Sequence, residues 1–321
     1  MSVYTRLSLS QVQDFSSQYG LQVTGIQPIQ GGIENSNYFV HLQDGRQLVL
    51  TIFEEINNHE AGLLVPVLSH LAAAGMPVAN PLTSLNGQQI LNLMQKPAQL
   101  APRLAGSHPM QPDLAQVASM GAGLARLHVA LLHYDLQRES NHGQAWWQQT
   151  AAQMLLSLPA QQRDLLQRVF NDFSTAQLTY PQRPCGLIHG DLFRDNTLFE
   201  ADILSGVLDF SELSSDELLL DIAICLNDFC SAWPDVVLDH AKAQTFLQAY
   251  HQLRPITADE QQLLPVYLAM AACRFWLSRL QVAQRNASEN RGGEHILQKD
   301  PEEMRLMLMQ RLNQPFYPVL A

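Results

Sequence analysis

Apolar and polar positions change their rhythm along the chain. Over roughly the first hundred residues, short runs rich in β-branched and aromatic residues predict strands at 26–30, 38–42 and 47–53, the first two flanking the glycine-rich GGIENSN. Residues 60–74 carry apolar positions at helical spacing and close at Gly75, with regular helix expected to begin near Pro66 because proline cannot donate to the preceding turn. A further strand is expected at 88–94. Residues 96–112 hold Pro97, Pro102, Gly106, Pro109 and Pro112, a density of breakers that suits a connector. Beyond it the pattern is helical at 113–133, 146–156, 159–176, 221–232, 236–252 and 259–283. Two short apolar strands interrupt it, 186–188 and 206–210, read together as a hairpin. No internal repeat or low-complexity tract is visible.

The pattern predicts an α+β chain of two lobes: a small β-rich lobe over 1–96, a hinge at 97–112 and a larger, mainly helical lobe over 113–321. Apolar residues make up 46% and charged residues 15%, enough to build a core and unlike a disordered chain. Lys and Arg total 19 against 30 Asp and Glu, a net charge of -11, and no basic run exists to track a phosphate backbone. A nucleic-acid partner is therefore not expected. MSVYTRLSLS lacks the apolar run of a signal peptide, and Leu263 to Cys273 is too short to span a bilayer and contains Pro265, so a cytoplasmic protein without membrane contact is expected. Cys185, Cys225, Cys230 and Cys273 show neither a CxxC pair nor histidines at metal-ligand spacing, which points to reduced thiols.

Each apolar strand of the helical region runs into a polar cluster: LIHGDLFRDNTLF over 187–199 and GVLDF over 206–210. Asp191 and Asn196 stand five apart, and Asp209 follows thirteen residues later. Singly, Asp and Asn are ordinary strand-end and turn residues. Together they match H-x-D-x-x-x-x-N followed by a metal-binding Asp, the arrangement of kinases. Phosphoryl transfer asks for little covalent help: a carboxylate to orient the attacking hydroxyl, and oxygen ligands to hold a metal on the phosphates. Asp191 is the expected base, and Asn196 and Asp209 the expected magnesium ligands. Gly31 and Gly32, with Asn35 and Asn37 of the same GGIENSN segment, are the expected cover for the phosphates of ATP.

With these residues in view, the chain resembles the aminoglycoside phosphotransferase and choline kinase superfamily, whose loop reads H-G-D-x-x-x-x-N, and within it the homoserine kinases. The similar stretches are GGIENSNYFV (31–40), LVLTIFE (48–54), PRLAG (102–106), LLLDIAICLNDFC (218–230), CRFWLSRL (273–280) and KDPEEMR (299–305), which cover nearly the whole length. The resemblance implies a protein-kinase-like fold and ATP-dependent phosphorylation of the side-chain hydroxyl of L-homoserine, on the route to threonine. The P-x-x-x-G-L-G-S-S-A signature of the other homoserine kinase fold is absent.

The third strand departs from the broad kinase pattern, with Thr51 where a phosphate-pairing lysine is expected. His189 is expected to support the loop through backbone hydrogen bonds. Asp221 resembles the superfamily's buried aspartate that braces the loop, and it also suits a helix N-terminus. An amino-acid substrate needs a cation for its carboxylate and an anion or carbonyl for its ammonium. The candidates are Arg194, Asp195, Asn227, Asp228, Arg274 and Arg279, against a default of a solvated surface role for each. Two other readings stand beside the homoserine one: a kinase of this fold acting on an aminoglycoside, choline or methylthioribose, and a nucleotide-binding pseudokinase motivated by Thr51.

Overall fold

A computed structural model describes residues 5–29, 35–54, 56–232, 234–288 and 299–320. The chain forms two compact units that part between Ala105 and Gly106, with Gly206–Leu208 belonging to the first. The first unit contains α1 (Leu9–Ser17), β1 (Val23–Pro28), β2 (Asn35–Leu42), β3 (Gln47–Phe53), α2 (Asn58–Ala73), β4 (Leu91–Leu93) and β5 (Lys96–Pro102). Its strands make one sheet in the order β1-β2-β3-β5-β4, with every pairing antiparallel. Side-chain alternation puts Tyr38, Val40, Leu48, Leu50, Ile52, Ala98 and Leu100 in one core cluster with Val12 and Phe15 of α1. Burying each of the larger side chains contributes about 1.5–3 kcal/mol. The opposite face carries Asn37, Thr51 and Gln99 in one cross-strand row, all half-buried.

Two expectations change here. Regular helix begins at Asn58, well ahead of Pro66. The Asn57 side chain accepts from the amides of His59 and Glu60, and the Glu60 carboxylate accepts from the Asn57 amide. This reciprocal cap secures the first turn, and Leu64, Val65, Val67, Leu68 and Leu71 bury the face that carries the helix past the proline. Residues 96–102, read from their prolines as part of a connector, form the inner strand β5. Pro97 and Pro102 sit near its two ends, while Ala98 to Leu100 pair with Leu50 to Ile52.

The second unit contains α3 (Leu114–Leu131), α4 (Gln144–Met154), α5 (Ala160–Thr179), β6 (Cys185–Ile188), β7 (Thr197–Glu200), the first three residues of β8 (Ile203–Val207), β9 (Ser214–Glu217), α6 (Leu218–Phe229), α7 (His240–His251), α8 (Ala258–Ser288) and α9 (Pro301–Asn313). By length and composition α3 and α8 are apolar enough to cross a membrane, yet 78% of the apolar window of α8 is buried inside the protein. Trp276, Tyr267 and Leu268 of α8 are core residues. The two apolar strands expected to form a hairpin do not pair with each other. β6 pairs antiparallel with β9, and β8 pairs with β7. The strand expected to run to Phe210 ends at Val207, because Asp209 adopts φ +53, a left-handed conformation that no extended run accommodates.

Candidate active site

The loop between β6 and β7 is shaped by a buried carboxylate. Asp221, in the first turn of α6, accepts from the amide of His189 through Oδ2 (2.8 Å) and from the amide of Gly190 through Oδ1 (3.0 Å). His128 Nε2 lies 3.1 Å from the same Oδ2, and the Tyr250 hydroxyl lies 2.7 Å from His128 Nδ1. Burial alone would push the Asp221 carboxyl up. The His128 hydrogen bond, the nearby imidazoles and the His189 amide more than offset it, and the group sits below its ordinary range. A fully buried anion at this position holds two consecutive backbone N–H groups in place.

Gly190 turns the loop with φ +78, where a Cβ would stand 2.9 Å from the carbonyl oxygen of Glu212. Arg274 of α8 donates through Nη1 to the Gly190 carbonyl (2.6 Å) and through Nη2 to Glu212 (3.0 Å). Glu212 also meets His142 Nδ1 at 2.8 Å. Burial pushes the Glu212 carboxyl up, but the His142 hydrogen bond and the Arg274 charge hold it below the usual carboxylate range.

Asp191 follows directly, its amide donating to His189 Nδ1 (3.3 Å). The Asn196 amide nitrogen donates to the Asp191 carbonyl (2.8 Å) and to Asp191 Oδ2 (3.0 Å). Those bonds fix the Asn196 side chain so that its carbonyl oxygen faces away from Asp191. Asp209 lies two residues past β8, its Oδ1 accepting from the Ser211 amide (3.2 Å), and the ring of the next residue, Phe210, packs on His189 with centroids 4.8 Å apart.

The Asn196 carbonyl oxygen and Asp209 Oδ2 have no protein partner among the described residues. Two hard oxygens could serve a divalent cation that keeps several of its waters. Among the described residues no group of three His, Cys, Asp or Glu could hold a metal.

The remaining expected residues fall in several places. Arg194 donates from its amide (2.7 Å) and Nε (3.0 Å) to Asp228 Oδ2, and from Nη1 to the Met110 carbonyl (2.7 Å). Burial raises the Asp228 carboxyl above its ordinary value despite the arginine. Asn227 is committed elsewhere, donating to the Leu268 carbonyl and accepting from Arg311 Nε, both at 2.8 Å. Arg279 joins α8 to the start of α9 through the Asp300 carbonyl (2.7 Å) and Glu303. Asp195 is exposed and pairs with Lys299 (2.9 Å). Thr51 donates to Asn37 Oδ1 (2.8 Å), and Asn35 is buried in β2. Gly31 and Gly32 lie outside the described residues. Sequence reasoning reads His128 only as a structural histidine and passes over Glu212, Arg311 and Lys299, whose partners are distant in the chain and leave no local spacing to read.

A β-rich lobe, a helical lobe and a loop presenting Asp191 and Asn196, with Asp209 on a neighbouring turn, define a phosphotransferase of the protein-kinase-like fold. The chain belongs to the phosphotransferase enzyme family, which its residues 25–256 match. It is 37% identical over 319 residues to the homoserine kinase of Polaromonas naphthalenivorans (strain CJ2), covering 98% of this chain and 99% of that one. To the homoserine kinase of Pseudomonas aeruginosa (strain LESB58) it is 38% identical over 314 residues, 98% and 97% of the two chains. In fold it is similar to an amicoumacin kinase solved with AMP-PNP and Ca2+ (TM-score 0.72, 16% identity, 97% and 96% covered) and to a microcompartment-associated aminopropanol kinase (TM-score 0.70, 16% identity, 95% and 94% covered).

Proposed function

We propose that the chain phosphorylates the side-chain hydroxyl of L-homoserine, giving O-phospho-L-homoserine, the step that commits homoserine to threonine. The observation that carries this reading is the near full-length match to homoserine kinases, which includes both units and not only the catalytic loop. The loop supplies the chemistry. Asp191 orients the hydroxyl and receives its proton as the oxygen bonds to the γ-phosphorus and the bond to the β–γ bridging oxygen breaks, releasing ADP. Asn196 and Asp209 would hold magnesium, which when bound would supply charge neutralisation at the transferring group. The bond from the Asn196 amide keeps the Asp191 carboxylate in one orientation, and proximity of this kind accounts for much of the acceleration in such transfers.

Magnesium-dependent ADP release, measured side by side with L-homoserine, choline and an aminoglycoside, tests the reading. Turnover confined to homoserine is expected. Preference for either of the others moves the acceptor assignment, and silence on all three with intact nucleotide binding supports a pseudokinase.

A further inference from the structure

Among the described residues three cations touch the catalytic loop, and two of them are already committed to protein partners. Arg194 is bound to Asp228 and to the Met110 carbonyl, and Arg274 to Glu212 and to the Gly190 carbonyl. The third is Lys299, one of only three lysines in the chain. Its ammonium meets Asp195 at 2.9 Å and lies 5.3 Å from the centre of the Phe193 ring. Phe193 is in turn stacked edge-on against Phe275 of α8. The Lys299 and Asp195 side chains remain 38% and 59% exposed, so the pair is open to solvent. One of the three Lys299 donors is committed to a carboxylate, and Asp195 Oδ1 has no partner among the described residues.

Resting on the reading above, we infer that Lys299 and Asp195 recognise the α-amino-acid end of the acceptor, Lys299 taking its carboxylate and Asp195 its ammonium. A paired cation and anion side by side are the charge complement of a zwitterion. Exposed ion pairs of this kind are held weakly, so substrate groups rearrange them at little cost. The cation–π contact with Phe193 keeps the ammonium on the loop while its remaining donors stay available. Reach agrees as well. Asp195 is one residue from Asn196 and four from Asp191, a stretch that extends at most about 14 Å. Turns from the Phe193 amide to the Asp191 carbonyl and from the Asn196 amide to the Phe193 carbonyl, each 3.0 Å, shorten it further. Homoserine separates its hydroxyl carbon from its α-carbon by a single methylene, and an acceptor that short calls for recognition groups on or against the catalytic loop.

The test uses the whole enzyme and three acceptors: L-homoserine, 3-aminopropan-1-ol, which lacks the carboxylate, and 4-hydroxybutyrate, which lacks the ammonium. Wild-type turnover of homoserine tests the functional reading by itself. Lys299→Ala is expected to raise KM for homoserine roughly 10- to 100-fold, to change kcat and ATP affinity little, and to leave KM for 3-aminopropan-1-ol unmoved, with Lys299→Arg restoring most of the loss. Asp195→Asn gives the mirror result with 4-hydroxybutyrate. The inference is overturned if an active wild type loses nothing on Lys299→Ala, or if both variants lose equally on all three acceptors, which marks a purely structural pair.

Discussion

Asp221→Asn removes one charge and changes no volume, so its effect reports directly on the brace beneath the catalytic loop. In the native structure the two carboxylate oxygens accept from the amides of His189 and Gly190 and from His128. An asparagine has one acceptor oxygen and a donating NH2. Whichever way it turns, that NH2 faces at least one N–H, and a buried donor is left without an acceptor. Breaking a buried charged network from one side costs about 3–5 kcal/mol. For a unit of this size each kcal/mol lowers Tm by about 2–4 °C, so a loss of roughly 6–20 °C is expected. Turnover should fall by about 10²-fold, since a shift near 1 Å in the residues before Asp191 displaces the base. The pH dependence has a definite sign. The folded carboxyl titrates below its ordinary value, so its contribution is complete above the unfolded value, near 4, and is lost as pH falls through the lower folded value. Circular-dichroism melts from pH 7 to pH 3 should show wild type losing Tm on the acid side and the variant losing less of it. A variant within 2 °C of wild type and within twofold in kcat would refute the brace.

Asp191→Ala should lower kcat by roughly 10² to 10⁴ and leave ATP affinity nearly intact, which single-turnover kinetics and a nucleotide titration separate. Asp209→Asn should weaken nucleotide binding in magnesium far more than in its absence, read by calorimetry with and without the ion. Gly190→Ala combines a left-handed φ, costing about 1–2 kcal/mol, with a Cβ pressed on the Glu212 carbonyl, so both Tm and kcat should drop. Arg274→Lys keeps the charge but cannot reach the Gly190 carbonyl and Glu212 together, and steady-state kinetics should show a loss in kcat larger than any change in KM for ATP.

What the sequence discloses depends on whether the partners are local. The β3 strand was legible to the residue because Gln47–Phe53 is dense in β-formers, and it pairs with strands on both sides. The kinase loop was legible because its chemistry is packed into one turn. β7 and β9 were missed: each is four residues long, and Ser214–Glu217 carries no apolar alternation, since it is extended by pairing with β6 and not by its own propensity. α1 was missed too, a short helix set by the Ser8 and Gln11 cap. The partner of Asp221 was invisible for the same reason: His128 lies 93 residues away on α3, and only the fold brings them together. Asn227 shows the opposite error. An amide beside an acidic residue reads as a substrate group, yet burial and Arg311 commit it to the core.

The distribution of charge separates the groups that hold the loop from those that can meet an acceptor. Asp221, Arg274 and the Arg194–Asp228 pair spend their charge on backbone groups of the loop, and each is buried or nearly so. Charges held this way set where Asp191 and Asn196 stand but present little to a passing small molecule. They are properties of the phosphoryl-transfer step, which is common to every acceptor. Discrimination between acceptors must then fall to groups that solvent reaches, and those vary without disturbing the brace. Changing the acceptor of such an enzyme is therefore a matter of exposed residues beside the loop, and altering the buried ones removes activity on every acceptor alike.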